Sequence, residues 1–216
     1  KVGHTGTLDP FATGLLVVLV GKYTRLCQYL TAHDKCYEAQ ISFGAATDTD
    51  DSTGQTIALG DVNDLSEKHI AAALQHFVGE QLQSPPAFSA ISIDGERSYR
   101  KARRGEDVHL PPRPIQIYDA KLIRWAPPLA DVVMHCSKGT YVRALARDLG
   151  ERVGVPAHLH ALRRLSAGPY VVSEAIRAEH LGDDDRVCRA LRRGPTAVLG
   201  MTLLSVDTQQ IVEIKQ

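Results

Sequence analysis

Five of the eleven prolines, Pro85, Pro86, Pro111, Pro112 and Pro114, stand in two groups that bracket one stretch of the chain. A proline has no backbone N–H and a fixed φ, so neither group belongs in the middle of a helix or a central strand. The chain between Ser84 and Pro114 must therefore leave the core and return to it. It carries charge outward: ERSYRKARRG places Arg97, Arg100, Lys101, Arg103 and Arg104 within eight positions around Tyr99. Such a cluster suits either phosphate binding or a solvated helix face. Overall charge does not choose between them, because the formal net charge is zero. The signs are nevertheless segregated. Cys36 to Glu67 holds seven acidic residues and no Lys or Arg, with Asp48, Asp50 and Asp51 packed into TDTDDSTG.

The opening stretch, KVGHTGTLDPFATG, shows neither helical nor strand periodicity and reads as a loop. Gly3, Gly6 and Gly14 allow tight turns or the close approach of a ligand, and Pro10 keeps Asp9 out of a helix interior. His4 and Asp9 are the groups this loop offers to chemistry. Its spacing does not match a nucleotide-binding P-loop. Taken alone, Asp9 before a proline reads as an ordinary surface turn.

Downstream, Leu15 to Val20 suits a buried strand, Lys22 to Leu30 a short helix and Tyr37 to Phe43 a strand. SEKHIAAALQHFVG is the clearest helix: Ser66 caps it, Ile70, Ala73, Leu74 and Phe77 share a face, and Gly79 ends it. AFSAISI from Ala87 is strand-like and turns at Asp94 and Gly95. Ile115 to Ile123 and Ala130 to Cys136 read as paired strands. Thr140 to Gly150 reads as a helix with Val142, Leu145, Ala146 and Leu149 inward and Arg143 and Arg147 on another face. The alternation of strands and helices gives a mixed α+β chain. Cys27, Cys36, Cys136 and Cys188 contain no CxxC pair, so neither a zinc site nor a disulfide framework is signalled. The longest apolar run is too short to span a bilayer and no signal-peptide pattern is present, so a cytoplasmic protein is expected.

Four segments together, HTGTLDPFATGLL, KCYEAQISFGAATDTDDSTG, SPPAFSAISIDGERSYRKARRGEDVHLPPRP and HCSKGTYVRALARDLG, resemble in this order the bacterial tRNA pseudouridine-55 synthase family, TruB. The resemblance runs from about Val2 to about Glu179. It implies the pseudouridine synthase fold, a mixed and largely antiparallel sheet with flanking helices and an RNA-binding insertion. Residues 1–180 form the catalytic domain on this reading, with the insertion at about 84–114, and 181–216 form a linker and the start of a small C-terminal domain. Family members carry a few dozen residues ahead of the GHTG motif, including a strand of the sheet, so the chain reads as truncated at its start. LLSVDTQQIVEIKQ resembles only the opening of the family's C-terminal domain.

By the same resemblance Asp9 matches the catalytic aspartate, Tyr37 the active-site tyrosine, Arg143 the arginine that pairs with the aspartate, and His4 the histidine that helps hold the displaced nucleotide. Lys138 and Tyr141, in SKGTY, are further candidate RNA contacts, as are Arg97, Arg100, Lys101, Arg103 and Arg104. The implied reaction converts a specific uridine in the T-arm loop of tRNA to pseudouridine. It consumes no water and changes no oxidation state, so no cofactor and no metal are implied. A carboxylate is a nucleophile or base only when ionised, and a guanidinium beside it favours that form and fixes its orientation. The target base must be flipped out, with an aromatic face to receive it. The protein is expected to act on tRNA as a monomer, away from membranes. Two other classes stay open: a non-catalytic RNA-binding or chaperone module, which needs no Asp9, Tyr37 and Arg143 together, and an RNA nucleosidase, which breaks the same bond and releases the base. Each singled-out residue also has a structural reading. Tyr37 can be core packing, Arg143 a solvated helix residue, and Asp48 or Asp51 a turn former or cap.

Overall fold

In the computed structural model, which describes residues 1–93 and 95–194, the chain divides into two compact units, Lys1–Val172 and Ser173–Gln216. The first is built on a seven-stranded sheet. Its main strands are β1 (Lys35–Phe43), β2 (Gly79–Gln83), β3 (Arg113–Ala126), β4 (Leu129–Cys136) and β5 (Ala157–Ala167). They lie in the order β5-β1-β4-β3-β2, every neighbour antiparallel. Tyr170–Val171 pairs antiparallel with the end of β5, while Thr13–Gly14 pairs parallel with Arg163 and Arg164 of the same strand. The sheet is thus mixed and largely antiparallel.

β1 shows how sequence sets the layers. Lys35, Tyr37, Ala39, Ile41 and Phe43 alternate with more exposed residues and are buried on one face, the period of two that a half-covered strand requires. Three helices matter for the site: α1 (Glu67–Gln75), α2 (Ser98–Arg103) and α3 (Val142–Val153). α1 and α3 supply Ile70, Ala73, Leu74, Val142, Leu145, Ala146 and Leu149 to the same core as Ile41, Val132, Met134 and Leu159. Each fully buried leucine, isoleucine, valine or methionine among them contributes about 1.5–3 kcal/mol. The Ser66 side chain accepts a hydrogen bond from the His69 N–H and so caps α1. α3 ends at Gly154, which adopts the left-handed conformation at φ 75° that a side chain would disfavour.

Several expectations are corrected. Leu15 to Val20 is not one buried strand. Only Val18–Val20 forms a strand, pairing with Val2–His4 in a separate two-stranded sheet, with Leu19 buried while Val18 and Val20 stay 50% and 53% exposed. A hairpin with a single covered face buries only alternate residues. Lys22 to Leu30 splits into a 3-10 turn, Gly21–Leu26, followed by a short α-helix, Cys27–Thr31. AFSAISI contracts to the two-residue strand Ser92–Ile93, because the Ser98 and Tyr99 N–H groups reach back to Ile91 and Ser89 and bend the chain. Gly79 opens β2 rather than closing α1, which ends at Gln75. Strands β2 and β5 had no counterpart in the reading of the sequence. The expected turn residue Asp94 and the segment LLSVDTQQIVEIKQ lie outside the described residues. In the second unit the short helix Asp184–Ala190 is capped by the Asp183 side chain, which accepts from the Arg186 N–H. Among the described residues no helix is long and apolar enough to cross a membrane.

Candidate active site

The loop that carries Asp9 is gripped from below by one strand. Arg164 of β5 is almost fully buried; its Nε donates to the Leu15 carbonyl at 2.7 Å and its Nη2 to the Gly6 carbonyl at 3.1 Å. The Leu15 N–H in turn donates to the Arg164 carbonyl at 2.9 Å. Gly14 allows this approach: at φ 96°, an added Cβ would lie 2.3 Å from that carbonyl oxygen. A tight turn, Ala12 N–H to Asp9 C=O at 2.9 Å, then sets the Asp9 backbone.

Arg143 meets Asp9 from α3. Its Nη2 donates to Asp9 Oδ1 at 2.9 Å and its Nε to Oδ2 at 3.2 Å, a two-pronged contact that fixes the carboxylate plane as well as its position. The rest of the guanidinium is also occupied. Nη1 donates to the Thr49 carbonyl at 3.1 Å and lies 3.5 Å from Asp51 Oδ2, and Nη2 donates to the Phe88 carbonyl at 2.9 Å. The Arg143 side chain is 6% exposed and that of Asp9 is 30% exposed, so the arginine is the floor of the site and the aspartate its accessible face. Arg143 is therefore not a solvated helix residue. A buried guanidinium is tolerated here because opposing carboxylates and carbonyls replace its water.

The acidic stretch shapes this floor. Asp51 is buried beneath Arg143, and its Oδ1 accepts from Thr49 Oγ1, the Thr53 N–H and Thr53 Oγ1 at 2.8, 2.9 and 2.6 Å. Asp48 is a turn former, accepting the Gln55 N–H at 2.8 Å. Asp50, in the left-handed region at φ 60°, pairs with Arg147 at 2.9 Å, and burial pushes its carboxyl up to about 6 against the pull of Arg147 and Arg143. Arg147 also reaches Asp148 at 2.7 Å and the Ser84 carbonyl at 3.0 Å. The pairings of Asp50 with Arg147 and of Asp51 with Arg143, and the role of Arg164, are not legible in the sequence. The signal for the two pairings is the i, i+4 spacing of Arg143 and Arg147 together with an acidic run of opposite sign; Arg164 has none.

Tyr37 lies on the buried face of β1, directly opposite Arg164 across the β1–β5 pairing. Burial raises its phenol above the ordinary range, the Cys136 thiol adds to the rise, and the Arg164 guanidinium opposes it. The structure thus brings Asp9 and Arg143 into direct contact, and places Tyr37 opposite Arg164, whose guanidinium holds the Asp9 loop. His4 is exposed at the end of the strand Val2–His4, on the same loop as Asp9. Lys138 is exposed in the turn before α3, and Tyr141 is the residue that caps α3 through its backbone.

The five basic residues of the excursion sit in or beside α2 and are not equivalent. Arg104 is held by Glu96 and by Glu106, at 2.5 and 2.6 Å, and Arg97 donates to the Ala90 carbonyl. Arg100, Lys101 and Arg103 make no ion pair among the described residues. The guanidinium carbons of Arg100 and Arg103 lie 6.0 and 5.5 Å from the Tyr99 ring centroid, within cation–π range.

Residues 1–142 match the N-terminal domain of TruB family pseudouridylate synthases, and residues 143–208 match the C-terminal domain of tRNA pseudouridylate synthase B. Asp9 and Arg143 fall one in each matched segment. The chain is 45% identical over 176 residues to the tRNA pseudouridine synthase B of Opitutus terrae, covering 82% of this chain and 73% of that protein. It is 42% identical over 205 residues to that of Syntrophotalea carbinolica, covering 91% and 67%, and 46% identical over 181 residues to that of Geobacter sulfurreducens, covering 84% and 60%. Similar solved structures include a Cbf5-Nop10-Gar1 complex, with a TM-score of 0.65 and 27% identity over 88% of this chain and 47% of that one. An H/ACA RNP bound to a substrate RNA containing 2'-deoxyuridine gives a TM-score of 0.63 and 25% identity over 88% of this chain and 46% of that one. The chain therefore spans less than half of those structural neighbours.

Proposed function

Because the chain belongs to the TruB family of pseudouridylate synthases, we propose that it isomerises a specific uridine to pseudouridine in the T-arm loop of tRNA. The observation that carries this reading is the two-pronged contact between Asp9 and Arg143, which leaves a reactive carboxylate accessible above a buried guanidinium. A module that only bound RNA would have no use for that arrangement. The target uridine leaves the RNA stack, with His4 helping to hold the displaced nucleotide and Tyr37 supplying the aromatic surface that receives the base. Asp9 acts as the covalent group, attacking either C6 of the base or C1′ of the sugar. The C1′–N1 bond breaks, the uracil turns, C1′ bonds to C5, the C5 proton passes to solvent while N1 takes one proton from solvent, and the bond to Asp9 breaks to return the carboxylate. Atoms balance without water, metal or nucleotide.

The test is a T-arm stem-loop labelled with tritium at C5 and with carbon in the uracil ring. The protein should release the tritium in the presence of a chelator while every labelled carbon stays in the polymer. Stoichiometric free uracil would establish a nucleosidase instead, and dependence on an added cofactor would refute the cofactor-free route.

We assign residues 1–180 to the catalytic domain and the excursion at about 84–114 to RNA binding, with Lys138 and Tyr141 as further contacts, in a cytoplasmic monomer. The excursion is long enough for RNA to be recognised without a guide RNA. Arg100, Lys101 and Arg103 are its best-placed phosphate ligands, since Arg104 already neutralises two carboxylates. Replacing Arg100 and Arg103 by alanine should weaken RNA binding and flatten the log–log salt dependence by about 0.7–0.9 per lost contact. Turnover on saturated protein should change less. An unaltered slope would make this stretch a solvated helix face.

A further inference from the structure

The side chain of Gln83 makes a contact that none of the chemistry above uses. It is the last residue of β2, 4% exposed, and stands opposite Arg113 in the β2–β3 pairing, where the excursion leaves the sheet and where it returns. Its carboxamide does not point along the sheet. Oε1 accepts from the Tyr141 N–H at 2.8 Å, and Nε2 donates to the Tyr141 carbonyl at 3.1 Å. One side chain thereby satisfies both backbone polar groups of one residue, as a neighbouring strand would.

Tyr141 is where α3 begins. It has extended backbone angles, and no side chain caps the helix there. Its carbonyl also accepts the first bond of the helix, from the Leu145 N–H at 3.1 Å. Arg143 follows two residues later. The chain reaches this point through a turn in which Gly139 is at φ 81°, so the direction in which α3 sets out is fixed at Tyr141 rather than by continuous regular structure. The neighbours of Gln83 repeat the same connection: the Ser84 carbonyl accepts from Arg147 and the Phe88 carbonyl from Arg143, at 3.0 and 2.9 Å.

We propose that Gln83 is a positioning residue, which holds the first turn of α3 at the azimuth that aims Arg143 at Asp9 and ties that aim to the base of the 84–114 excursion. Its kinetic consequence rests on the function proposed above; its structural consequence does not. Any displacement of the excursion's base would move the Tyr141 backbone and, with it, the guanidinium.

The experiment compares Gln83→Ala with Gln81→Ala. Gln81, two residues earlier on the same strand, donates its own carboxamide hydrogen to the Phe77 carbonyl at 2.6 Å and makes no side-chain hydrogen bond to α3 among the described residues, so it reports the cost of losing a side-chain bond in β2. The first readout is solvent exchange of the Arg143 Nε–H in the protein without RNA, assigned by its loss in Arg143→Lys. Exchange should accelerate at least tenfold in Gln83→Ala and stay within twofold in Gln81→Ala. The second is the single-turnover rate of tritium release from the stem-loop, expected to fall at least thirtyfold for Gln83→Ala with RNA affinity within threefold, and to hold for Gln81→Ala. Gln83→Glu keeps the acceptor for the Tyr141 N–H but opposes two oxygens at the carbonyl, so it should fall between, and it serves if the alanine variant does not fold. Unchanged Arg143 exchange in both Gln83 variants overturns the proposal whether or not the protein converts RNA. Equal effects of Gln81→Ala and Gln83→Ala overturn it as well. A protein that never releases tritium, yet whose Arg143 exchange answers to Gln83, refutes the isomerase reading and leaves the positioning role standing.

Discussion

Asp9→Asn is expected to lower single-turnover conversion of a T-arm stem-loop by at least about a thousandfold while RNA affinity stays within about threefold. The substitution keeps shape and volume, and the remaining oxygen can still accept from Arg143. What it removes is the nucleophile and one prong of the contact, since an amide NH2 facing a guanidinium offers it nothing. The floor should survive, because Arg143 retains the Thr49 and Phe88 carbonyls and the nearby Asp51 carboxylate. Tritium release gives the rate and filter binding the affinity. Turnover within tenfold of the parent would remove Asp9 from the chemistry.

Arg143→Lys should reduce turnover at least about a hundredfold, for a different reason. The guanidinium serves both Asp9 oxygens, the Thr49 carbonyl and the Phe88 carbonyl through a rigid planar fork. An ammonium is a point charge on a flexible stem and cannot meet four acceptors in that plane. Charge is conserved, so Asp51 keeps a counter-ion and the protein should fold. Arg143→Met goes further and leaves the buried Asp51 unpaired, at a cost of about 3–5 kcal/mol. Urea midpoints distinguish the two variants. Near-normal turnover of Arg143→Lys would show that the fork is not needed.

How far the sequence revealed this arrangement differs by element. α1, with its serine cap and apolar stripe, and β1, β3 and β4, with alternating or β-branched residues, carry their signal locally. β5 does not. AHLHALRRLSA is rich in alanine, leucine and arginine, all good helix formers, and two register shifts, at Leu159/Ala161 and Arg164/Ser166, break the alternation that would have exposed it as a strand. β2 is GEQLQ, with a single apolar residue, and is a strand because β3 offers it an edge. The pairing of Asp9 with Arg143 was legible only through family resemblance, since nothing local marks residues that meet across 134 positions. Arg143, Arg164 and Asp51 break the rule that charge stays outside. Arg143 and Arg164 are buried because their partners come from distant segments, which no window of sequence contains, whereas Asp51 combines local hydrogen bonds from Thr49 and Thr53 with the distant Arg143.

The grip of Arg164 on the opening loop also dictates an order of events during synthesis. Leu15 and Arg164 are 149 residues apart, and until β5 lies in the sheet nothing holds the carbonyls of Gly6 and Leu15 or the backbone at Gly14. At translation rates of roughly 5–20 residues per second, Asp9 leaves the ribosome about 7–30 s before the strand that anchors its loop. Such a long-range closure is intrinsically late in folding. The nascent chain can therefore expose its whole basic excursion to RNA before it has a site able to modify anything, and catalytic competence arrives with one of the last strands of the sheet to be made.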